Sequence, residues 1–224
     1  MMNFKFRLFR LFLLLPLFTF ALIEPALAQV KIKVVDQENK PLPNVVLEYD
    51  SPESTSKQPK AEKVYIMDQI NKQFAPHVLI VPEDSFVSFP NSDDIRHHVY
   101  SFSPAKTFEL KLYAGKPKSP VRFENTGVVV MGCNIHDSMI GYIYVSDSSH
   151  TFLSDEKGEV VLTQSVAANT QLKIWHPNST SEISERTTIT LDQAALGQDV
   201  ITLTINIEKP EAGDSFEELN LYEY

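Results

Sequence analysis

A single cysteine among 224 residues excludes an internal disulfide framework. Exported domains usually carry cysteines in even numbers, so Cys133 stands out. It is a buried small apolar residue, an intermolecular thiol or a metal ligand. A sustained helical period is missing too, and Leu191 to Gln198 supports one short turn of helix. No segment repeats at a fixed period. After the first residues, no run is apolar over the about 20 residues that a bilayer-spanning helix needs. Positive charge is in deficit, with a net −9, so nucleic acid and anionic membranes are poor partners. There is no nucleophile–base pair, paired-carboxylate motif or phosphate loop. His77, His150 and His176 are scattered singly, without ligand spacing.

Residues 1–28 have the layout of a secretory signal peptide. Lys5, Arg7 and Arg10 make a positive start, Leu11 to Ile23 is an apolar run, and Ala26-Leu27-Ala28 offers small residues for cleavage. The run is short for a membrane anchor. No cysteine stands directly after the cleavage site, so a lipid anchor is not indicated. The expected mature chain begins at Gln29 and is periplasmic or secreted, with no membrane attachment. It loses three positive charges and one negative, which takes the net charge from −9 to −11.

The mature chain reads as all-β. Val30, Ile32 and Val34 alternate with polar residues, a turn covers Asp36 to Pro41, and a strand resumes over Val45 to Tyr49. Asp50 to Lys63 is rich in Ser, Pro, Lys and Glu and reads as a linker. Further strands are predicted at Val78–Val81, Phe86–Phe89, His97–Phe102, Thr107–Tyr113, Val128–Met131 and Gly141–Val145. A second rhythm follows, with strands at Glu159–Thr163, Gln171–Trp175, Arg186–Leu191 and Val200–Ile207. Closely spaced strands with turns between them suggest a sandwich or barrel. Residues 208–224 are acidic without strand or helix pattern and read as a tail.

One short segment concentrates the chemistry. Cys133-Asn-Ile-His136-Asp-Ser-Met139 sets a thiol, an imidazole and a thioether three residues apart, on a predicted short loop between two strands. Thiolate and imidazole with a weak thioether are the ligands of mononuclear blue-copper electron-transfer sites. Zinc makes little use of thioether. Such a copper site needs a second histidine, and His97 and His98 lie upstream on a predicted strand. Neighbouring strand side chains point to opposite faces, so one of the pair faces the metal.

The same residues carry a family resemblance. Val87-Ser-Phe-Pro-Asn91-Ser-Asp-Asp-Ile-Arg-His97-His-Val99 resembles the first-histidine strand of amicyanin and plastocyanin. Phe123 to Gly141, with its Cys-x-x-His-x-x-Met spacing, resembles their second ligand strand and loop. His-His-Val-Tyr-Ser-Phe-Ser and Gly-Cys-Asn-Ile-His-Asp are similar to exported cupredoxins called methylamine utilization proteins. The resemblance implies a cupredoxin Greek-key β-sandwich over residues 64–146. It implies one copper ion held by His97, Cys133, His136 and Met139, with Asn91, His98 and Asn134 around the ligands. The Asn91 spacing selects His97, and His98 is the alternative. His98 falls where relatives carry an Asn that pins the ligand loop. Relatives dock through an apolar patch. Here Asp137 and Ser138, with Asp93 and Asp94 opposite, predict a more acidic rim and a basic partner.

The flanks resemble a different module. Val30 to Val45 is similar to the first hairpin of carboxypeptidase-regulatory or Cna-B β-sandwiches, and Phe152–Leu162 and Leu172–Pro177 to later strands. This implies an accessory sandwich from residues 29–50 and 147–207, split by the copper domain. The plainer alternative adds Val30 to Tyr49 to the cupredoxin sheet. Two functions are open. One is a single-electron carrier between redox partners, such as a basic cytochrome or a dehydrogenase. The other is a non-redox copper-sequestering or assembly module. A substrate-converting enzyme fits least, since copper oxidation chemistry usually needs more than one centre.

Overall fold

Apolar side chains recur at every second position, and that period sets the architecture. Leu203 and its neighbours in Ile201–Ile205 alternate buried and exposed, and the first residues of His97–Ser103 alternate buried and half-buried. The structure is a computed structural model that describes residues 29–50, 63–163 and 166–208. The expected leader 1–28, most of the linker and the tail from 209 lie outside the described residues.

The first strands are β1 (Val30–Asp36) and β2 (Val46–Tyr49). The middle of the chain gives β3 (Val64–Ile66), β4 (Asp68–Ile70), β5 (Gln73–Ala75), β6 (Val78–Pro82) and β7 (Ser85–Ser88). It continues with β8 (His97–Ser103), β9 (Lys106–Tyr113), β10 (Val121–Phe123), β11 (Gly127–Cys133) and β12 (His136–Ser146). The last part holds β13 (His150–Leu153), β14 (Glu159–Leu162), β15 (Thr170–Trp175), β16 (Thr187–Leu191), the single-turn α1 (Gln193–Leu196) and β17 (Ile201–Ile205).

Strands β3 to β12 form one unit. A five-stranded sheet runs β6-β12-β11-β8-β9, a three-stranded sheet runs β10-β7-β3, and β4-β5 is a separate hairpin. They share a core that includes Val87, Phe89, Val99, Phe123, Met131, Cys133, Met139 and Ile143. Phe74 of β5 joins this core by packing on Gly141, where a Cβ would come within 2.7 Å of its ring-bearing carbon.

The flanking strands form sheets of their own. β1 lies between β14 and β17, and β2 lies between β13 and β15, with β16 outside β15. Their core is separate and contains Ile32, Leu47, Tyr49, Leu172 and Leu203. A third cluster joins the two units: Val46 and Trp175 from the flanks meet Val78, Val128 and Tyr144. Arg186 Nε donates to Tyr144 Oη at 2.6 Å, and Ser146 Oγ donates to Glu48 at 2.6 Å. Glu48 is buried, and a buried carboxylate is tolerated only with such partners.

Candidate metal centre

Register brings the ligands together. β11 pairs with β8 so that Cys133 lies opposite Val99 and Gly132 opposite Tyr100. Residues opposite each other share a face, so Cys133 and Val99 point into the core. His97 is two residues before Val99 and points the same way; it is fully buried. His98 points outward, and its Nε2 meets Glu109 Oε1 of β9 at 2.9 Å. The strand thus excludes His98 from the site that His97 enters.

The expected loop after Cys133 is tighter than its sequence suggests. β11 runs to Cys133 and β12 starts at His136, with a two-residue turn between them and a register shift at Gly132/Cys133. The turn folds His136 back over the thiol. Cys133 Sγ lies 3.6 Å from His97 Nδ1 and 3.6 Å from His136 Nδ1. All three ligating atoms lie within 4.8 Å of one another. Metal bonds of about 2.0 Å to imidazole and about 2.3 Å to thiolate in a trigonal plane put nitrogen and sulfur about 3.7 Å apart, so the spacing fits one ion. Met139 is fully buried in the same cluster as Cys133. This is the donor set of one type 1 copper ion.

The two histidines differ in exposure. His97 is sealed, while His136 is half-buried and borders the exposed Asn134, Ile135, Asp137 and Ser138. His136 is held below the ordinary histidine pKa, first by burial and then by repulsion from His97 and Lys72, against which Asp93 pulls upward. Its neutral form, the form that ligates a metal, is therefore favoured.

Surrounding residues fix the ligand loop. Asn91 Nδ2 donates to the carbonyls of Ile95 (2.8 Å) and Tyr113 (3.0 Å). Asn134 contributes through its backbone, whose N–H donates to the His98 carbonyl at 3.2 Å; its side chain is exposed. Gln69, which carries no sequence signal, is fully buried and donates to Tyr113 Oη (2.6 Å) and the Pro90 carbonyl (2.9 Å). Burial pushes the Tyr113 hydroxyl up to about 12, so it remains a donor, to the Phe89 carbonyl.

One rim assignment needs correction. Asp93 is not a free acid of the rim, because its carboxylate contacts His97 Nε2 at 2.8 Å and accepts two backbone N–H groups. Its side chain is 13% exposed. Asp94 and Asp137 remain exposed.

No family model and no curated protein matches the chain. Several solved structures resemble part of it. A purple cupredoxin from Nitrosopumilus maritimus is 22% identical, with a TM-score of 0.32 over 37% of this chain and 98% of its own. A reduced Cu(I) amicyanin variant at pH 4 is 18% identical, with a TM-score of 0.33 over 45% of this chain and 98% of its own. A Cu-containing nitrite reductase from Thermus scotoductus SA-01 is 21% identical, with a TM-score of 0.35 over 44% of this chain and 25% of its own. The assignment of the metal rests on the donors and their spacing.

Proposed function

We propose that the chain is a cupredoxin-type, single-electron carrier with one type 1 copper ion. The supporting observation is the convergence of His97 Nδ1, Cys133 Sγ and His136 Nδ1 on one point beneath a rigid sheet. Bound copper supplies the one-electron chemistry, alternating between Cu(I) and Cu(II). The chain holds the donors so that neither state demands a new arrangement. His97 and Cys133 are pinned by the paired strands β8 and β11, and His136 by the turn that follows. Met139, on β12 and buried in the same cluster as Cys133, would be the weak fourth donor, a thioether whose identity tunes the potential.

His136 is the solvent-side edge of the site, so a redox partner meets the protein there. Exposed Asp94 and Asp137 beside exposed Ile95 and Ile135 suit a partner with an apolar contact and a basic margin. The leader pattern supports export to the periplasm or medium. The flanking sheets, with their own core, are proposed as an accessory sandwich of the carboxypeptidase-regulatory or Cna-B type that braces the copper unit through Trp175. Copper loading followed by cycles of reduction and oxidation tests the carrier reading. A blue colour that bleaches and returns supports it, and a colourless protein that binds only Cu(I) points to sequestration.

A further inference from the structure

The end of β9 and the segment after it carry lysines that the fold leaves unpaired. Between Glu109 and Glu124 the chain holds Lys111, Lys116, Lys118 and Arg122 and no acid, in a protein whose net charge is −9. The acids on either side are engaged. Glu109 Oε1 meets His98 Nε2 at 2.9 Å, and Glu124 Oε2 accepts from Lys106 Nζ at 2.8 Å. Arg122 is paired with Asp84 at 2.8 Å. Lys111, Lys116 and Lys118 are exposed and make no ion pair with a described residue. Leu112, between the first two, is 50% exposed. The backbone that carries them is tied to the ligand-bearing part of the copper unit. Tyr113 pairs with His97 across β9 and β8, and the Gly115 carbonyl accepts the Asn91 N–H at 2.7 Å. Pro117 and Pro120 restrict the chain around Lys116 and Lys118.

We propose that Lys111, Lys116 and Lys118, around Leu112, form a docking surface for an acidic protein, the second redox partner of the carrier. The inference rests on the copper reading above. A carrier takes its electron from one protein and gives it to another. Exposed Asp94 and Asp137 near His136 suit a basic partner, and the lysine segment suits one of opposite sign. Unpaired cations grouped on an acidic molecule make a local positive field, which steers an anionic surface into one orientation. A restrained backbone loses little freedom on docking. Screening over about 10 Å hides the acids elsewhere on the chain from a protein of limited footprint. A flat anionic bilayer would face more of those acids.

Charge-matched variants of the full chain test it. The first combines Lys111→Gln, Lys116→Gln and Lys118→Gln. The second combines Lys31→Gln, Lys33→Gln and Lys157→Gln on the flanking strands and turn, and loses the same net charge. In the metal-free chain, the paramagnetic anion hexacyanochromate(III) should broaden the NMR signals of residues 111–118, and a polyglutamate peptide should relieve the broadening. In the copper-loaded chain, hexacyanoferrate(III) takes one electron from Cu(I) and leaves Cu(II) and hexacyanoferrate(II). Its rate constant should fall about 3- to 10-fold in the first variant and less than about twofold in the second. Equal losses in the two variants, or broadening centred elsewhere, would overturn the proposal. Broadening that appears only once the acids of residues 209–224 are changed to amides would make the chain's own tail the occupant and overturn the partner. Sedimentation with phosphatidylglycerol vesicles that the first variant loses would make the segment a membrane contact, with the same consequence. A chain that binds no copper would sink the copper reading, and the broadening would still judge the docking surface.

Discussion

Acid should destabilise this protein partly through His176, which follows Trp175 at the junction of the two units. The residue is 6% exposed. Its Nδ1 accepts the Asn178 N–H at 3.1 Å, and its other ring nitrogen donates to the Pro43 carbonyl. The neutral ring satisfies both contacts, whereas a proton on Nδ1 would confront the Asn178 N–H. Burial is the largest cause that lowers its pKa to about 4, with repulsion from His77 added and the Pro43 carbonyl opposing. An unfolded histidine titrates at about 6.5. The folded value is the lower one, so the unfolded chain binds more protons across this window. The stabilisation is complete above about pH 6.5 and is lost as pH falls toward about 4. A gap of about 2.5 units is worth about 3 kcal/mol, of which about 2 kcal/mol has gone by pH 5. Urea denaturation of the metal-free chain at pH 8, 6.5 and 5 measures it. His176→Gln keeps an acceptor and a donor without the titration, so its stability should fall about 2 kcal/mol less between pH 8 and 5. Equal losses in the two proteins would refute the reasoning.

Other substitutions test the site and its support. His97→Ala should abolish the blue colour of the copper-loaded chain, while His98→Ala should keep it, since His98 faces Glu109 on the outer side of the sheet; optical spectra of both variants read the difference, and the reverse result would reverse the face of β8. Gly141→Ala should destabilise by about 1 to 3 kcal/mol in urea denaturation, because the new Cβ would meet Phe74 atoms at 2.7 and 2.9 Å in a buried contact.

The alternation of β8 is visible in the sequence because its period is two, and it makes His97 and His98 exclusive, while the Asn91 spacing of the resembling family selects His97. The Cys133–His136–Met139 spacing is equally legible, since it needs only local geometry. The Cys133–His136 turn is harder to read. Asn134 and Ile135 carry no glycine signal, so a sequence reading ends the strands sooner than the structure does. The β4–β5 hairpin is hidden for the same reason. Its strands have three residues each, and Asn71-Lys72 takes the left-handed turn without the usual Asn-Gly. With that hairpin unseen, Asp93 reads as a solvated acid, and its placement depends on backbone donors 21 and 22 residues away. β13 shows in the sequence only through the resemblance at Phe152, because four residues give little periodicity and its partner β2 lies far back in the chain. The parallel pairing of β1 with β17 joins opposite ends of the described chain and leaves no local trace.

The central claim is that Cys133 and the two histidines hold one redox-active copper ion. The optical and electron-paramagnetic spectra of the copper-loaded chain, recorded through a cycle of reduction and reoxidation, test it most directly. The account predicts one copper per chain, an intense thiolate-to-copper band that disappears on reduction and returns on oxidation, and its loss in Cys133→Ser. Bound copper without that band, or a band that survives Cys133→Ser, would contradict it.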